Sequence, residues 1–198
     1  MIQKDIHGYS HKKDPGLIQE ALDLLHQDGI LAVPSDTIYG LVCRYNPAAL
    51  KKLHEIRQRP LDKPFLFVIG AHFKWQELID SGKMTQSCLD FALSSWPGRI
   101  TCVFPKNPEL AYPIGPTIAM RMPSPQTNAF FYELVQAEGL LAAPSLNRSG
   151  QKPLSTLPDI LAEFSDILDA VYFDAGYEPA SSPSEIYDCT GEAPVRLR

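Results

Sequence analysis

Arg57 and Arg59 stand two positions apart, and Lys63 follows four residues later, in the stretch LHEIRQRPLDKPFLFVI (53–69). A guanidinium grips two oxygens of a phosphate or carboxylate at once, whereas an ammonium acts as a point charge, so this cluster suits an anionic ligand. The surrounding charge is uneven. Residues 44–64 hold six basic side chains against Glu55 and Asp62, whereas residues 153–195 hold nine Asp or Glu and no Lys or Arg. A chain of net charge −5 that gathers its Arg and Lys in a few segments builds a local anion site. Lys51 and Lys52 read as the solvated face of a helix. Arg57, Arg59 and Lys63 instead flank a turn that contains Pro60.

A second set of polar groups falls at the ends of apolar runs: Ser35 and Thr37, Arg121, Ser145 and Asn147, and Ser184. In α/β sheets, ligands sit where strands end and loops gather. Arg121 follows the apolar run TIAM, so it needs a partner, either a ligand carboxylate or a structural one. Thr37, Thr117 and Ser155 suit turn caps or cross-strand pairs as well as ligands, and Asn147 suits a turn. No Walker-type loop and no G-x-G-x-x-G occurs, so a bound nucleotide must be held by side chains. No Ser/His/Asp or paired-carboxylate pattern is present either. His7 and His11 have helical i,i+4 spacing but lie in a polar, Gly-containing segment, so no metal site is expected there. Cys43, Cys88, Cys102 and Cys189 form no C-x-x-C pair. Cys43 and Cys102, set in apolar runs, read as small buried hydrophobes in a reducing compartment.

The elements that must position these groups are legible from periodicity. Residues 14–29 read as an amphipathic helix with Asp14 as N-cap, Pro15 in the first turn and Gly29 at the end. Residues 47–58 have helical spacing in Leu50, Leu53 and Ile56 before Pro60. Helices are also expected over 72–80, 85–96, 127–138 and 157–168. Strands are expected over 30–34, 37–43, 65–69, 100–104, 117–122, 140–144, 170–173 and 185–190. Such alternation predicts an α/β domain with a mixed sheet.

Composition excludes several classes. At 198 residues, 44% hydrophobic and 21% charged, the chain suits one globular domain that needs no metal or disulfide staple. Its longest apolar runs are too short to span a bilayer. The N-terminal MIQKDIHGYSHKKDPG lacks the apolar core of a secretory signal, so a cytoplasmic location is expected.

Five stretches, in order, carry a resemblance: ILAVPSDTIYGLVC (30–43), LHEIRQRPLDKPFLFVI (53–69), WPGRITCVFP (96–105) with TIAMRMPSP (117–125), LLAAPSLNRSGQKPLST (140–156) and SPSEIYDCTG (182–191). Together they resemble the YrdC-like family of threonylcarbamoyl-AMP synthases, in its short single-domain form, over residues from about 15 to 198. The resemblance implies a twisted mixed sheet with helices around a concave basic groove. It also implies condensation of L-threonine, bicarbonate and ATP, with Mg²⁺, to threonylcarbamoyl-adenylate and pyrophosphate. Partner enzymes then transfer the threonylcarbamoyl group to tRNA adenosine 37.

Residue by residue, Arg57 and Arg59 match the family's K-x-R pair, implying a catalytic, phosphate-holding role. Lys63, Thr117, Asn147, Ser155 and Arg198 match positions around ATP. Thr37, Arg121, Ser145 and Ser184 match positions around threonine or its pocket. The chain departs from the pattern in having Arg57 for Lys, PSDT (34–37) for P-T-E-T, Glu185 for Thr, and SLN (145–147) for S-A-N. The larger Leu146 is expected to narrow the pocket, and Arg148 to add charge beside it. The alternative is a paralogue that binds RNA or nucleotides without turnover, its basic groove attracting any polyanion. Against direct RNA binding stand the negative net charge and the lack of aromatics interleaved with Arg or Lys.

Overall fold

Strands β2 (Leu31–Pro34) and β3 (Tyr39–Arg44) are almost wholly buried, as expected of near-continuous apolar runs covered on both sides. The structure, a computed structural model, describes every residue but 11, 113, 127 and 177–182. His11 and the first residues of the expected 127–138 helix and the 182–191 motif lie outside the described residues.

The other described strands are β1 (Ile2–Asp5), β4 (Leu66–Ile69), β5 (Ile100–Pro105), β6 (Thr117–Arg121), β7 (Leu140–Ala142), β8 (Ala170–Phe173), β9 (Glu185–Asp188) and β10 (Val195–Arg196). They form one sheet in the order β1-β8-β2-β3-β7-β4-β6-β5-β9-β10. Pairing is mixed: β1–β8, β2–β8, β4–β6 and β5–β9 are parallel, and the rest antiparallel.

Successive strand residues point to opposite faces, and here they feed two cores. Ala32, Cys43, Phe67 and Ala142 join one core with helices α2 (Pro47–Arg57), α3 (Gln86–Ser95) and α5 (Leu157–Phe164). Their neighbours Leu31, Val42, Val68 and Leu141 join the other, with α1 (Leu17–His26) and α4 (Ala129–Glu138). Beyond β4, on that second face, the upward-pointing residues Ala119 and Arg121 of β6 and Thr101 of β5 line a cavity instead of joining a core. That half of the sheet positions the site.

Helix starts follow ordinary capping chemistry. Asn46 Oδ1 accepts from the Ala49 N–H at 2.9 Å, ahead of Pro47, and Asn128 Oδ1 does the same for Phe131. The first helix differs from expectation. It begins at Leu17 after Gly16, with no side-chain cap, while the Asp14 carbonyl takes the Leu17 N–H in a preceding turn. Residues 72–80 form only a 3₁₀ turn, Trp75–Leu78, because Trp75 and Leu78 anchor in the core three residues apart. β1 and β10 were not expected, since IQKD is polar and VR is two residues long. Both are edge strands, held by backbone pairing and not by apolar periodicity. Among the described residues, no helix is long and apolar enough to cross a membrane.

Candidate functional site

The cavity, about 760 Å³ in volume, opens over β4, β6, β5 and the start of β9. Thr37, Arg57, Arg59, Arg121, Ser145, Ser155, Ser184 and Arg198 all line it, as do Ser35, Tyr39 and Thr101. Residues separated by more than a hundred positions in sequence thus share one wall.

The β2–β3 turn supplies one side. Ser35 Oγ donates to the Ile38 carbonyl at 2.6 Å and accepts from the Thr37 N–H at 3.1 Å, a side-chain-closed turn that turns Thr37 toward the cavity. Asp36 points the other way and forms an ion pair with Arg121 Nη1, both side chains almost fully buried. The partner that Arg121 required is therefore a structural carboxylate. Two polar atoms of this pair remain buried and without a hydrogen-bond partner among the described residues, Asp36 Oδ1 and Arg121 Nε. Unsatisfied buried polar atoms are rare in native proteins and mark a place where a ligand can supply the missing bond.

Next to it, a further part of the wall, whose Ser145 pairs with Gly40 of β3, is built on Arg57, at the last turn of α2. Its Nε donates to the Asn147 carbonyl at 2.9 Å, and its Nη2 to Asn147 Oδ1 at 2.8 Å and Ser145 Oγ at 3.4 Å. Ser145 Oγ also donates to Asn147 Oδ1 at 2.6 Å. Asn147 Nδ2 donates to the Arg148 and Gln151 carbonyls at 2.7 and 2.8 Å. Both donors and the acceptor of the Asn147 amide are thereby engaged within the protein. Asn147 lies behind the cavity wall and is not among its lining residues. Burial and the neighbouring Arg59 cation push the Arg57 guanidinium down to about 10, which leaves it charged at neutral pH.

Arg59 sits on the loop after α2, half-buried. Its Nε donates to the Lys63 carbonyl and its Nη2 to that of Pro64, both at 2.9 Å, and the guanidinium lies 5.7 Å from the Phe65 ring centre. Burial lowers its pKa while Asp62 opposes the shift. The Lys63 side chain is exposed and outside the cavity. Thr117 is on the same face of β6 as Ala119 and Arg121 but beyond the lined region. Arg198 lines the cavity beside Ser184, its Nη2 donating to the Ser184 carbonyl at 3.1 Å.

Two departures from the sequence pattern take unexpected places. Leu146 is fully buried in the core and points away from the cavity, so it does not narrow the pocket. In the S-L-N loop it alternates with Ser145 and Asn147, which brings its side chain to the core side. Arg148 also turns away: it bonds the Ile56 carbonyl at the end of α2, pairs with Glu163 at 3.2 Å and lies 4.8 Å over the Phe164 ring. Sequence reasoning missed Thr101, whose Oγ1 is 2.9 Å from Ser184 Oγ. Its signal was a lone hydroxyl inside the apolar run ITCVF. Among the described residues, no cluster of three or more His, Cys, Asp or Glu could hold a metal.

A model of the family described as Telomere recombination, the Sua5/YciO/YrdC group, matches residues 23–198. The chain is 29% identical over 181 residues to the threonylcarbamoyl-AMP synthase of Klebsiella pneumoniae, covering 88% of this chain and 93% of that one. It is 31% identical over 191 residues to the synthase of Bacillus subtilis, covering 93% of this chain but 53% of the longer relative. Among solved structures, P. abyssi Sua5 in complex with L-threonine superposes with a TM-score of 0.84 at 25% identity, covering all of this chain and 57% of that one. E. coli YciO, at 22% identity and a TM-score of 0.71, shares the fold over all of this chain and 92% of its own.

Proposed function

Because the chain belongs to the Sua5/YciO/YrdC family, we propose that it is a threonylcarbamoyl-AMP synthase, an enzyme that uses L-threonine and ATP. In this reading it joins them with bicarbonate to give threonylcarbamoyl-adenylate and pyrophosphate, as a nucleotidyltransferase. The observation that carries the reading is the gathering of Arg59, Arg198, Arg121 and Thr37 around one cavity over the uncovered half of the sheet.

The chemistry asks little of acids and bases. The threonine amine and bicarbonate give a carbamate, the new N–C bond replacing a C–O bond with loss of water, and a carbamate oxygen attacks the α-phosphorus of ATP as pyrophosphate leaves. Positioning and charge neutralisation then carry catalysis. Arg59 and Arg198, both in the cavity lining, are assigned to the phosphates, while Ser155 in the lining and the exposed Lys63 and half-buried Thr117 outside it are assigned to the nucleotide as it extends outward. Arg57 and Asn147 hold the S-L-N loop that forms the wall. Arg121 Nε and the hydroxyls of Thr37, Ser145 and Ser184 are assigned to threonine.

Among the described residues, the cavity lining carries four arginines and no acidic side chain, so Mg²⁺ fits as part of the substrate, riding on the triphosphate of MgATP. We place the reaction in the cytoplasm, ahead of partner enzymes that pass the threonylcarbamoyl group to tRNA adenosine 37. A pure RNA binder has no use for the buried Thr37–Arg121–Ser184 group. The test is mass analysis after incubation with ATP, L-threonine, Mg²⁺ and ¹³C-bicarbonate. A labelled threonylcarbamoyl-adenylate supports the synthase, and ATP left intact rejects it.

A further inference from the structure

His54 is buried at 5% exposure, an imidazole in the inner face of α2 with Leu50 and Leu53 as its neighbours. Its surroundings are poor for a basic side chain. Burial lowers its pKa, and the Arg59 and Arg57 cations lower it further. An apolar residue would pack here without that cost. The helix does not need the imidazole for its end either. The Gln58 N–H already bonds the Glu55 carbonyl, the Arg59 N–H bonds the His54 carbonyl at 3.0 Å, and Gln58 closes the turn in a left-handed conformation at φ +49°.

What the imidazole does is hold the loop that carries Arg59. Its Nδ1 lies 3.1 Å from the Arg59 carbonyl, and since a carbonyl only accepts, Nδ1 must carry the proton. Residue 60 is proline, so the Arg59–Pro60 peptide unit has no N–H. Its carbonyl is the one hydrogen-bonding group that can fix the plane of that peptide, and His54 bonds it. The ring also lies 4.2 Å from the ring centre of Phe65, at the other end of the loop. Arg59 itself closes the loop through the Lys63 and Pro64 carbonyls and lies over the same Phe65 ring.

We infer that His54 is a positioning residue for the phosphate-facing Arg59, acting through its Nδ1–H bond to the Arg59 carbonyl. The inference rests on the synthase reading, in which Arg59 meets ATP. Without that bond, the Arg59 Cα–C torsion is the free one, Pro60 φ being locked by its ring; turning about it shifts the Lys63 and Pro64 carbonyls that hold the guanidinium, which then samples positions away from the triphosphate.

Two variants separate the donor from the ring. His54→Phe keeps a ring against Phe65 and loses the donor, whereas His54→Asn loses the ring but places an amide donor near the Nδ1 position. In steady-state pyrophosphate release, His54→Phe is expected to raise the ATP KM about tenfold, and His54→Asn to stay within about threefold of wild type, as one hydrogen bond is worth. The threonine KM stays at the wild-type value in both. In the ligand-free protein, the Lys63 amide, bonded to the Pro60 carbonyl, should exchange faster in His54→Phe than in His54→Asn. An unchanged ATP KM in His54→Phe, or equal rises for ATP and threonine, overturns the inference. Should wild type itself release no pyrophosphate, the synthase reading fails, and the exchange comparison still judges His54 alone: equal Lys63 exchange in the two variants overturns it.

Discussion

Arg57 holds Asn147 at two points, with Nη2 2.8 Å from Oδ1 and Nε 2.9 Å from the backbone carbonyl. The last turn of α2 is thereby tied to the S-L-N loop across ninety residues of sequence. Fork geometry makes this possible, since a lysine could reach one acceptor but not two in fixed directions. Arg57→Ala leaves a buried carbonyl and amide oxygen short of a donor, and is expected to destabilise the fold by about 2–3 kcal/mol. Urea denaturation measures it. Arg57→Lys should recover part of that loss, while the KM values for ATP and threonine rise together, because the loop serves both.

The Asp36–Arg121 pair is a different case, an ion pair with side-chain exposures of 0% and 3%. Arg121→Ala strands a carboxylate in the interior and should cost about 3–5 kcal/mol of stability. Replacing both, with Arg121→Met and Asp36→Leu, should regain most of that stability without restoring use of threonine. A double variant with a wild-type threonine KM would remove Arg121 from the threonine site.

Arg59→Ala should weaken ATP binding by about 2–3 kcal/mol, the scale of a charge-assisted contact. Titration calorimetry with MgATP measures it. Threonine binding should change far less, and wild-type ATP affinity would take the phosphates away from Arg59.

His54 gives a pH dependence with a defined sign. Its folded-state pKa lies below the ordinary 6.5, so the unfolded chain binds more protons as pH falls through that range. Stability is complete above about 6.5 and declines as pH drops from there through the folded value. Burial and the Arg59 and Arg57 cations lower the pKa, and the Arg59 and Pro60 carbonyls that accept from the ring oppose them only in part. Denaturation midpoints at pH 7.5 and pH 5 should fall further for wild type than for His54→Phe, which has no proton to take up.

Much of the fold was legible because its strands are apolar on both faces and its helices keep regular apolar spacing. β2, β3 and α2 lie close to where periodicity puts them. The edges were not legible, since β1 carries Gln3 and Lys4 and owes its place to backbone pairing with β8. In the site, residue types pointed to an anion-binding wall. The direction of each side chain is a tertiary matter that spacing does not encode. Thus Leu146 faces the core and Arg148 caps α2, although both flank Asn147 in sequence. Thr101 was hidden for the same reason: only the pairing of β5 with β9 carries its strand to the segment that bears Ser184.

The synthase account is tested most directly by pyrophosphate release from MgATP and bicarbonate, measured with and without L-threonine. The account predicts release that depends on threonine, is lost in Arg59→Ala, and is matched by formation of the carbamoyl-adenylate. Release that is indifferent to threonine, or none from a protein that binds ATP normally, would contradict it.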